Sequence, residues 1–419
     1  MRGKRLSIGL RAVPAFVSVT LLVTGTWGAE KKLHNLGNGT DGASPEAGLI
    51  FDAAGNLYGT TGAGGTYGSG TVFEMTPNGS GGWTEKKLHN FGNGTDGATP
   101  EGGLIFDGAG NLYGTTSAGG TSGSGTVFEM TPNGSGGWTE KVLHNFGING
   151  TDGINPECSL IFDSAGNLYG TTVEGGTYNA GTVFEMTPNG SGGWTEKKLH
   201  NFIRNGTDGI YPSAGLIFDT DGNLYGTTYG GGDYYRGTVF EMTPNGSGGW
   251  TEKKLHNFGN GTDGANPQDD LIFDAAGNLY GTTGEGGSNA CGGPGCGTAF
   301  ELMSDGGGTW TEKRLHNFGN GTDGVYPYGA LIFDADGNLY GTTYGGGSNA
   351  CTGFGCGVAF EMTPNGSGGW TEKKLHNFGS GTDGANPSAS LIFDAEGNLY
   401  GTTTYGGSHN GGTVFEITP

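Results

Sequence analysis

The feature that most constrains this chain is a segment, GNLYGTT, that recurs seven times at intervals of 55 to 60 residues. Its copies begin at Gly55, Gly110, Gly166, Gly222, Gly277, Gly337 and Gly397. Self-similarity at such a period predicts a solenoid, a propeller or an array of repeats. Glycine accounts for 95 of the 419 residues. Because these glycines are periodic, we interpret them as turn residues between short strands and not as a sign of disorder.

Each repeat contains four segments with the composition of β-strands. In the first copy they cover residues 49–52, 56–61, 70–76 and 83–91. All four are rich in β-branched and aromatic residues and are bounded by Gly, Asn, Asp or Pro, and none shows a helical period. The first segment is apolar on both faces, which is typical of a strand packed between two neighbouring layers.

Four strands in each of seven repeats predict an all-β chain, a seven-bladed β-propeller of four-stranded blades. Residues 30–36 have the sequence of a fourth strand, and residues 412–418 have that of a third strand. Because the last copy lacks its own fourth strand, we expect the N-terminal strand to complete the last blade and close the ring. A superhelical array would instead need polar capping repeats. We therefore assign residues 30–419 to one propeller domain.

The unit LIFDxxGNLYGTTxxGGxxxxGTVFEMT resembles the tandem GloVer (Gloeo/Verruco) repeat of bacterial exported proteins, and the resemblance covers residues 30–419. It implies an extracellular or surface-attached repeat protein with no assigned activity, and it supplies no catalytic residues. Members of that family often carry a C-terminal anchor. Since this chain ends at Pro419 within the last blade, we expect plain secretion.

The first 29 residues have the layout of a secretory signal peptide. Four basic residues, Arg2, Lys4, Arg5 and Arg11, precede an apolar run over residues 12–23 and a stretch of mostly small residues that ends at Ala29. The run is short for a membrane-spanning helix, although an uncleaved anchor stays the alternative. The formal net charge of −21 becomes more negative when these basic residues are removed. We therefore expect a secreted monomer that binds neither nucleic acid nor anionic membranes and has no membrane span after cleavage.

Four of the five cysteines lie in two extended loops between the second and third strands. Cys291 and Cys296 belong to the fifth copy, and Cys351 and Cys356 belong to the sixth. Pairs at this spacing in an exported chain predict two local disulfides. A four-thiolate zinc site is the alternative, and it would require the two loops to converge. We interpret the remaining Cys158 as a buried free thiol.

Polar residues that recur in every copy are interpreted as architectural, because catalysis usually needs one asymmetric constellation. This applies to the histidines at 34, 89, 144, 200, 256, 316 and 376. The aspartates that end the first strands, such as Asp52, are expected to bond the following turn. The aspartates of the NGTDG segments, such as Asp41, are expected to cap turns, with a Ca²⁺ site of carboxylate and loop carbonyls as the alternative. Their spacing lacks the EF-hand pattern, so no cofactor or metal is assigned.

Two loops vary between the copies: the loop that leads into each first strand and the loop between the second and third strands. Strand alternation puts both on one rim of the ring, with the first loop near the axis. Loops on a rigid scaffold often carry binding groups, and tyrosines interleaved with carboxylates suit a sugar. The predicted ligand-binding residues are Glu46, Glu101, Glu157, Tyr211, Asp269, Tyr328, Tyr229, Tyr234, Tyr235, Arg236 and Tyr344. Neutral variation of surface loops is the alternative.

These observations favour a binding or scaffold module for a polysaccharide or a cell-surface protein, since near-identical copies suit multivalent contact. Paired carboxylates near the axis also permit an extracellular polysaccharide hydrolase or lyase. A structural protein of the envelope or matrix is the third hypothesis. The sequence contains no nucleophile–base motif, so the catalytic residues of an enzyme are unknown and a non-enzymatic role is preferred.

Overall fold

The computed structural model describes residues 30–287, 291, 293, 295–320, 322–347, 351, 355–379 and 382–418. The predicted signal peptide, residues 1–29, lies outside these residues. The described residues form seven four-stranded sheets and seven two-stranded sheets, all antiparallel in the pairs that define the blades. Each four-stranded sheet is one blade, and the prediction of an all-β, seven-bladed propeller is confirmed.

In each blade the four strands follow one another outward from the axis of the propeller. The innermost strands are Ile50–Phe51, Ile105–Phe106, Ile161–Phe162, Ile217–Phe218, Ile272–Phe273, Ile332–Phe333 and Ile392–Phe393. The second strands are Leu57–Thr61, Leu112–Thr116, Leu168–Thr172, Leu224–Thr228, Leu279–Thr283, Leu339–Thr343 and Leu399–Thr403. The third strands are Thr71–Pro77, Thr126–Pro132, Thr182–Pro188, Thr238–Pro244, Thr298–Ser304, Val358–Pro364 and Thr413–Ile417. The outer strands are Trp83–Asn90, Trp138–Asn145, Trp194–Asn201, Trp250–Asn257, Trp310–Asn317, Trp370–Asn377 and Glu30–Asn35.

The N-terminal strand closes the ring, as the sequence predicts. Glu30–Asn35 pairs with Thr413–Ile417 in the seventh blade, with Glu30 opposite Ile417 and Asn35 opposite Thr413. The amide of Leu36 extends this pairing by donating to the carbonyl of Gly412 at 3.0 Å. The first and last strands of the described propeller are therefore held together by backbone hydrogen bonds within one blade.

Each inner hairpin is fixed by an aspartate at its turn. Asp52 Oδ1 accepts the backbone N–H groups of Ala54 at 2.8 Å and Asn56 at 2.9 Å, which agrees with the role expected for these aspartates. Its Oδ2 lies 3.2 Å from the hydroxyl of Tyr58, which also reaches Glu74 at 3.0 Å. In the first six blades such a set of bonds ties the first three strands together.

The core lies at the boundaries between blades. At one boundary, Tyr58 and Phe91 of the first blade pack against Leu104, Phe128 and Met130 of the second, and all five are buried. Six further clusters repeat this arrangement around the ring. Because each inner strand is covered on both faces, its continuous apolar sequence is explained.

Each second strand carries a glycine that packs closely against the side chains of its own blade. A Cβ on Gly59 would lie 2.7 Å from both the Phe73 ring and the Leu49 side chain. Any larger residue would displace that ring from the boundary between blades. The second glycine of the GNLYGTT segment is therefore required by packing, whereas the first, Gly55, takes the positive φ of the turn.

Seven two-stranded sheets, which the sequence analysis did not anticipate, join the two variable loops of each blade. Their strands are Gly42–Ala43 with Ala63–Gly64, Gly97–Ala98 with Ala118–Gly119, Gly153–Ile154 with Glu174–Gly175, Gly209–Ile210 with Gly230–Gly231, Gly264–Ala265 with Glu285–Gly286, Gly324–Val325 with Gly345–Gly346, and Gly384–Ala385 with Tyr405–Gly406. This pairing holds both variable loops of a blade on the same face of the ring.

Candidate functional site

The variable loops meet in one cavity at the centre of that face. Its volume is about 440 Å³, and all seven blades contribute to its lining. Most of the lining residues immediately precede the innermost strands, as Ala47 and Gly48 do in the first blade. The cavity therefore lies on the propeller axis, and we call it the axial mouth. Six of the predicted ligand-binding residues line it: Glu46, Glu101, Glu157, Asp269, Tyr328 and Tyr344.

One side of the axial mouth is acidic. Glu46, Glu101 and Glu157 occupy the same position in three consecutive blades. The surrounding protein displaces water from these groups and raises the pKa of all three carboxyls. Repulsion from Glu101 and Glu46 adds to this desolvation at Glu157, whose pKa rises to about 7. The three carboxyls are therefore close enough to interact, and at neutral pH their charges are held together at a cost.

The fifth blade adds a second acidic pair, Asp269 and Asp270. Burial raises the pKa of both carboxyls, and the neighbouring Asp270 raises that of Asp269 further. Backbone amides compensate in part, because Asp270 Oδ1 accepts the N–H of Gly215 at 2.5 Å and Asp269 Oδ1 accepts the N–H of Asp270 at 2.7 Å. Asp270 is therefore tied to the backbone of the fourth blade, whereas Asp269 bonds the backbone of its own loop.

The other side of the axial mouth is aromatic. The rings of Tyr326 and Tyr328 stack with centroids 6.2 Å apart, and Tyr328 lies 5.4 Å from Tyr344. Tyr405 of the seventh blade also lines the cavity, and 42% of its surface is exposed. Burial, together with the surrounding tyrosines and Glu285, raises the pKa of Tyr328 to about 12. The phenol of Tyr328 therefore stays neutral at physiological pH, and the tyrosines of this side offer both ring faces and hydroxyl groups.

The remaining predicted residues lie on the same face but outside the cavity lining. Tyr211 is covered by the guanidinium of Arg204, which lies 4.7 Å from its ring centroid. Arg236 is held by Glu285 at 3.2 Å, so its charge is already paired. Tyr229, Tyr234 and Tyr235 are exposed. The structure therefore divides the predicted set into a group at the axial mouth and a group on the surrounding loops.

Sequence comparison of the loops missed the small polar residues of the mouth. Ser159, Ser213, Ser388 and Ser390 line the cavity between the larger side chains. Ser213 and Ser388 occupy the position that Glu46 has in the first blade, whereas Ser159 and Ser390 lie two places after it, and this register was the signal that could have identified them.

The cysteines form a separate, structural feature. Cys291 is bonded to Cys296, and Cys351 is bonded to Cys356. Cys158 is a buried free thiol at the base of the axial mouth, and burial raises its pKa to about 11. A thiol with such a pKa is a poor nucleophile at neutral pH, so nothing in its surroundings favours a catalytic role.

The recurring histidines pair with the NGTDG aspartates, a contact that the sequence analysis did not anticipate. His34 Nε2 lies 3.0 Å from Asp41 Oδ2, and His89 lies at the same distance from Asp96. The other oxygen of Asp41 accepts the N–H of Gly42 at 2.9 Å, which agrees with the expected turn cap. The pairs repeat at each blade boundary, far from the axis.

The fold and the axial mouth together define a β-propeller with a polar site at the centre of one face. Among the described residues, no helix is long and apolar enough to cross a membrane. The model of the Gloeobacter/Verrucomicrobia repeat matches residues 21–163, 135–293 and 290–419. The chain therefore belongs to the Gloeobacter/Verrucomicrobia repeat family, as its resemblance to the GloVer repeat indicates.

A comparison with curated protein sequences gives no match. Among solved structures, the extracellular domain of a hybrid two-component system from B. thetaiotaomicron has a TM-score of 0.55 at 13% identity, over 92% of this chain and 39% of that chain. An ancestral GH74 enzyme has a TM-score of 0.56 at 12% identity, over 89% of this chain and 48% of that chain. This chain thus spans less than half the length of either protein. At such identities the likeness shows the propeller fold alone.

Proposed function

We propose that this protein is a secreted binding module that holds a polysaccharide in its axial mouth. The observation that carries the proposal is the asymmetry of that mouth. The strands of the seven blades are nearly identical, yet the residues that face the axis are acidic in the first, second, third and fifth blades and aromatic in the sixth and seventh. A purely architectural ring would have no need of such a difference.

The chemistry of the mouth favours sugars. Tyrosine rings stack on the apolar faces of sugar rings, and carboxylates accept hydrogen bonds from hydroxyl groups. The volume of about 440 Å³ lies in the usual range of small-ligand sites. Two local disulfides fit an extracellular location, where such polymers occur.

The charge of the mouth selects among polysaccharides. Five carboxyl groups line it, and the chain as a whole carries a formal net charge of −21. Uronic-acid and sulfated polymers would be repelled, whereas neutral polymers would not be. Polymers that bear amino groups would be attracted, because a cationic ligand would relieve the repulsion among Glu46, Glu101 and Glu157.

The test is a glycan array followed by titration calorimetry with residues 30–419. We expect saturable binding to a neutral or amine-bearing glycan that weakens about 10-fold or more in Tyr328→Ala. Tyr67→Ala is the matched control, since Tyr67 is 51% exposed and does not line the mouth. Equal weakening in both variants would place the binding elsewhere. Binding to a cell-surface protein, with no glycan bound, would replace the ligand class in the proposal.

A hydrolase or lyase is the second candidate, and Glu157 is the observation that favours it. A carboxyl with a pKa of about 7 beside two further carboxyls has the properties of a general acid. If a bound glycan is cleaved by extensively purified protein and Glu157→Gln abolishes the cleavage without abolishing binding, the mouth is an active site. Binding without turnover would leave the module as proposed.

A further inference from the structure

The His–Asp pairs at the blade boundaries differ in the distance between the two side chains, and this distance follows the number of residues between them. At five boundaries the aspartate follows the histidine by seven residues, and the side chains lie 2.8 to 3.0 Å apart. At the other two the spacing is eight residues, and the distances are 3.8 Å for His144–Asp152 and 3.6 Å for His200–Asp208. The extra residue thus coincides with the loss of the hydrogen bond.

The boundary between the third and fourth blades shows how the extra residue acts. The backbone N–H of Ile203, within the longer loop, donates to Asp208 Oδ2 at 2.9 Å. That oxygen is the one that faces the histidine at the other boundaries. The N–H of Gly209 occupies Asp208 Oδ1 at 2.8 Å. His200 Nε2 is left inaccessible to solvent and without a hydrogen-bond partner among the described residues.

The glutamate that occupies the same position in every outer strand also has a buried oxygen without a hydrogen-bond partner among the described residues. Glu252, on the outer strand of the fourth blade, has its Oε1 inaccessible to solvent and without a hydrogen bond in the described part of the chain. One donor atom each from His200, Asp208 and Glu252 lie within 4.8 Å of one another. Two equivalent trios meet the same distance, but in them the histidine is hydrogen-bonded to its aspartate. His144 also lacks a partner, but the described donor atoms around it do not come together in this way. The two lysines that follow on this strand do not satisfy the glutamate, because Lys253 bonds the carbonyl of Gly308 and Lys254 bonds Thr207.

We propose that His200, Asp208 and Glu252 bind one divalent transition-metal ion of the zinc class. Buried polar atoms without partners are rare and costly, and a single cation would satisfy both the imidazole nitrogen and the glutamate oxygen. An imidazole with two carboxylates is a donor set that Zn²⁺ accepts, whereas Ca²⁺ and Mg²⁺ prefer oxygen donors alone. The three residues are half-buried. The site lies away from the axial mouth and is independent of any glycan bound there.

The test measures zinc binding to chelator-treated residues 30–419 by titration calorimetry, with Co²⁺ absorption as a second probe of the ligand set. We expect a saturable site that weakens about 10-fold or more in His200→Gln and Glu252→Gln. The matched control is Glu312→Gln, at a boundary where His256 lies 3.0 Å from Asp263, and it should keep the site. Thermal unfolding of each variant without metal verifies that the fold is retained.

A further variant keeps all three ligands and alters only their geometry. Replacement of Ile203 and Arg204 by a single glycine restores the seven-residue spacing, so that Asp208 can bond His200 as at the other boundaries. We expect this variant to lose the zinc site and the Co²⁺ spectrum. The proposal is overturned if the unmodified chain binds no zinc, or if it binds zinc equally well in all four variants.

Discussion

From the raised pKa of Glu157 we predict a contribution to the free energy of unfolding that changes with pH. Burial and neighbouring carboxylates raise its pKa from 4.5 to about 7 in the folded chain. An acid with a raised folded pKa binds its proton more tightly when folded. Its unfavourable contribution is therefore absent below pH 4.5, grows between pH 4.5 and 7, and is complete above pH 7. Glu157→Gln removes the charge with little change in shape, so the variant should be more stable than the parent at pH 8.

The size of the effect follows from the displacement of the pKa. At about 1.4 kcal/mol for each pKa unit, a change from 4.5 to about 7 corresponds to about 3 kcal/mol. Because Glu157 is only half-buried, screening by water reduces this figure, and we expect about 1–3 kcal/mol of added stability at pH 8. Near pH 4.5 the parent and the variant should differ little.

Urea unfolding followed by tryptophan fluorescence at pH 4.5 and pH 8 measures the difference directly. Asp221→Asn is the matched control, since it removes one negative charge from an exposed turn outside the axial mouth. The control should show little change at either pH. A Glu157→Gln variant that is less stable than the parent at pH 8, or equally altered at both pH values, would refute the reasoning.

Three further predictions concern the scaffold. Phe91→Ala should destabilise the chain by about 3–5 kcal/mol in urea unfolding, because this ring is fully buried at a blade boundary; a loss below 1 kcal/mol would contradict the assigned core. Asp107→Ala should cost about 1–3 kcal/mol by the same assay, because Asp107 accepts the N–H groups of Ala109 and Asn111 and contacts Tyr113. Deletion of residues 30–36 should leave the edge of Thr413–Ile417 unpaired, and light scattering should detect association that the full domain does not show.

The architecture could be predicted because the physical signals for it are local and repeated. The run Leu49–Ile50–Phe51 is apolar on both faces, and a single copy would leave open whether it is a strand or part of a buried helix. Seven copies at one period, each followed by an Asp–x–x–Gly–Asn turn, exclude the helix. The pairing of Glu30–Asn35 with Thr413–Ile417 could be predicted for a similar reason, because each segment matches a strand that the other six copies contain.

The grouping of the site residues could not be predicted in the same way. Comparison of the seven copies predicted both Tyr328 and Tyr235 as ligand-binding residues, because both positions vary between copies. The structure separates them: Tyr328 lines the axial mouth, whereas Tyr235 is 70% exposed on a surrounding loop. The difference depends on how far each loop reaches toward the axis, which follows from its pairing with the neighbouring loop. Two-residue strands such as Gly42–Ala43 have too little sequence to reveal that pairing.

The His200 boundary shows why repetition alone is an incomplete guide to function. A residue present in every copy was taken to be architectural, and at five boundaries the His–Asp hydrogen bond supports that interpretation. One inserted residue at Ile203 supplies a competing N–H and releases His200 from the same role. Chemistry in a repeat protein can therefore arise at a conserved position through a change in a neighbouring loop. In this ring, a copy with a different spacing between histidine and aspartate is as useful for predicting function as a residue that varies between copies.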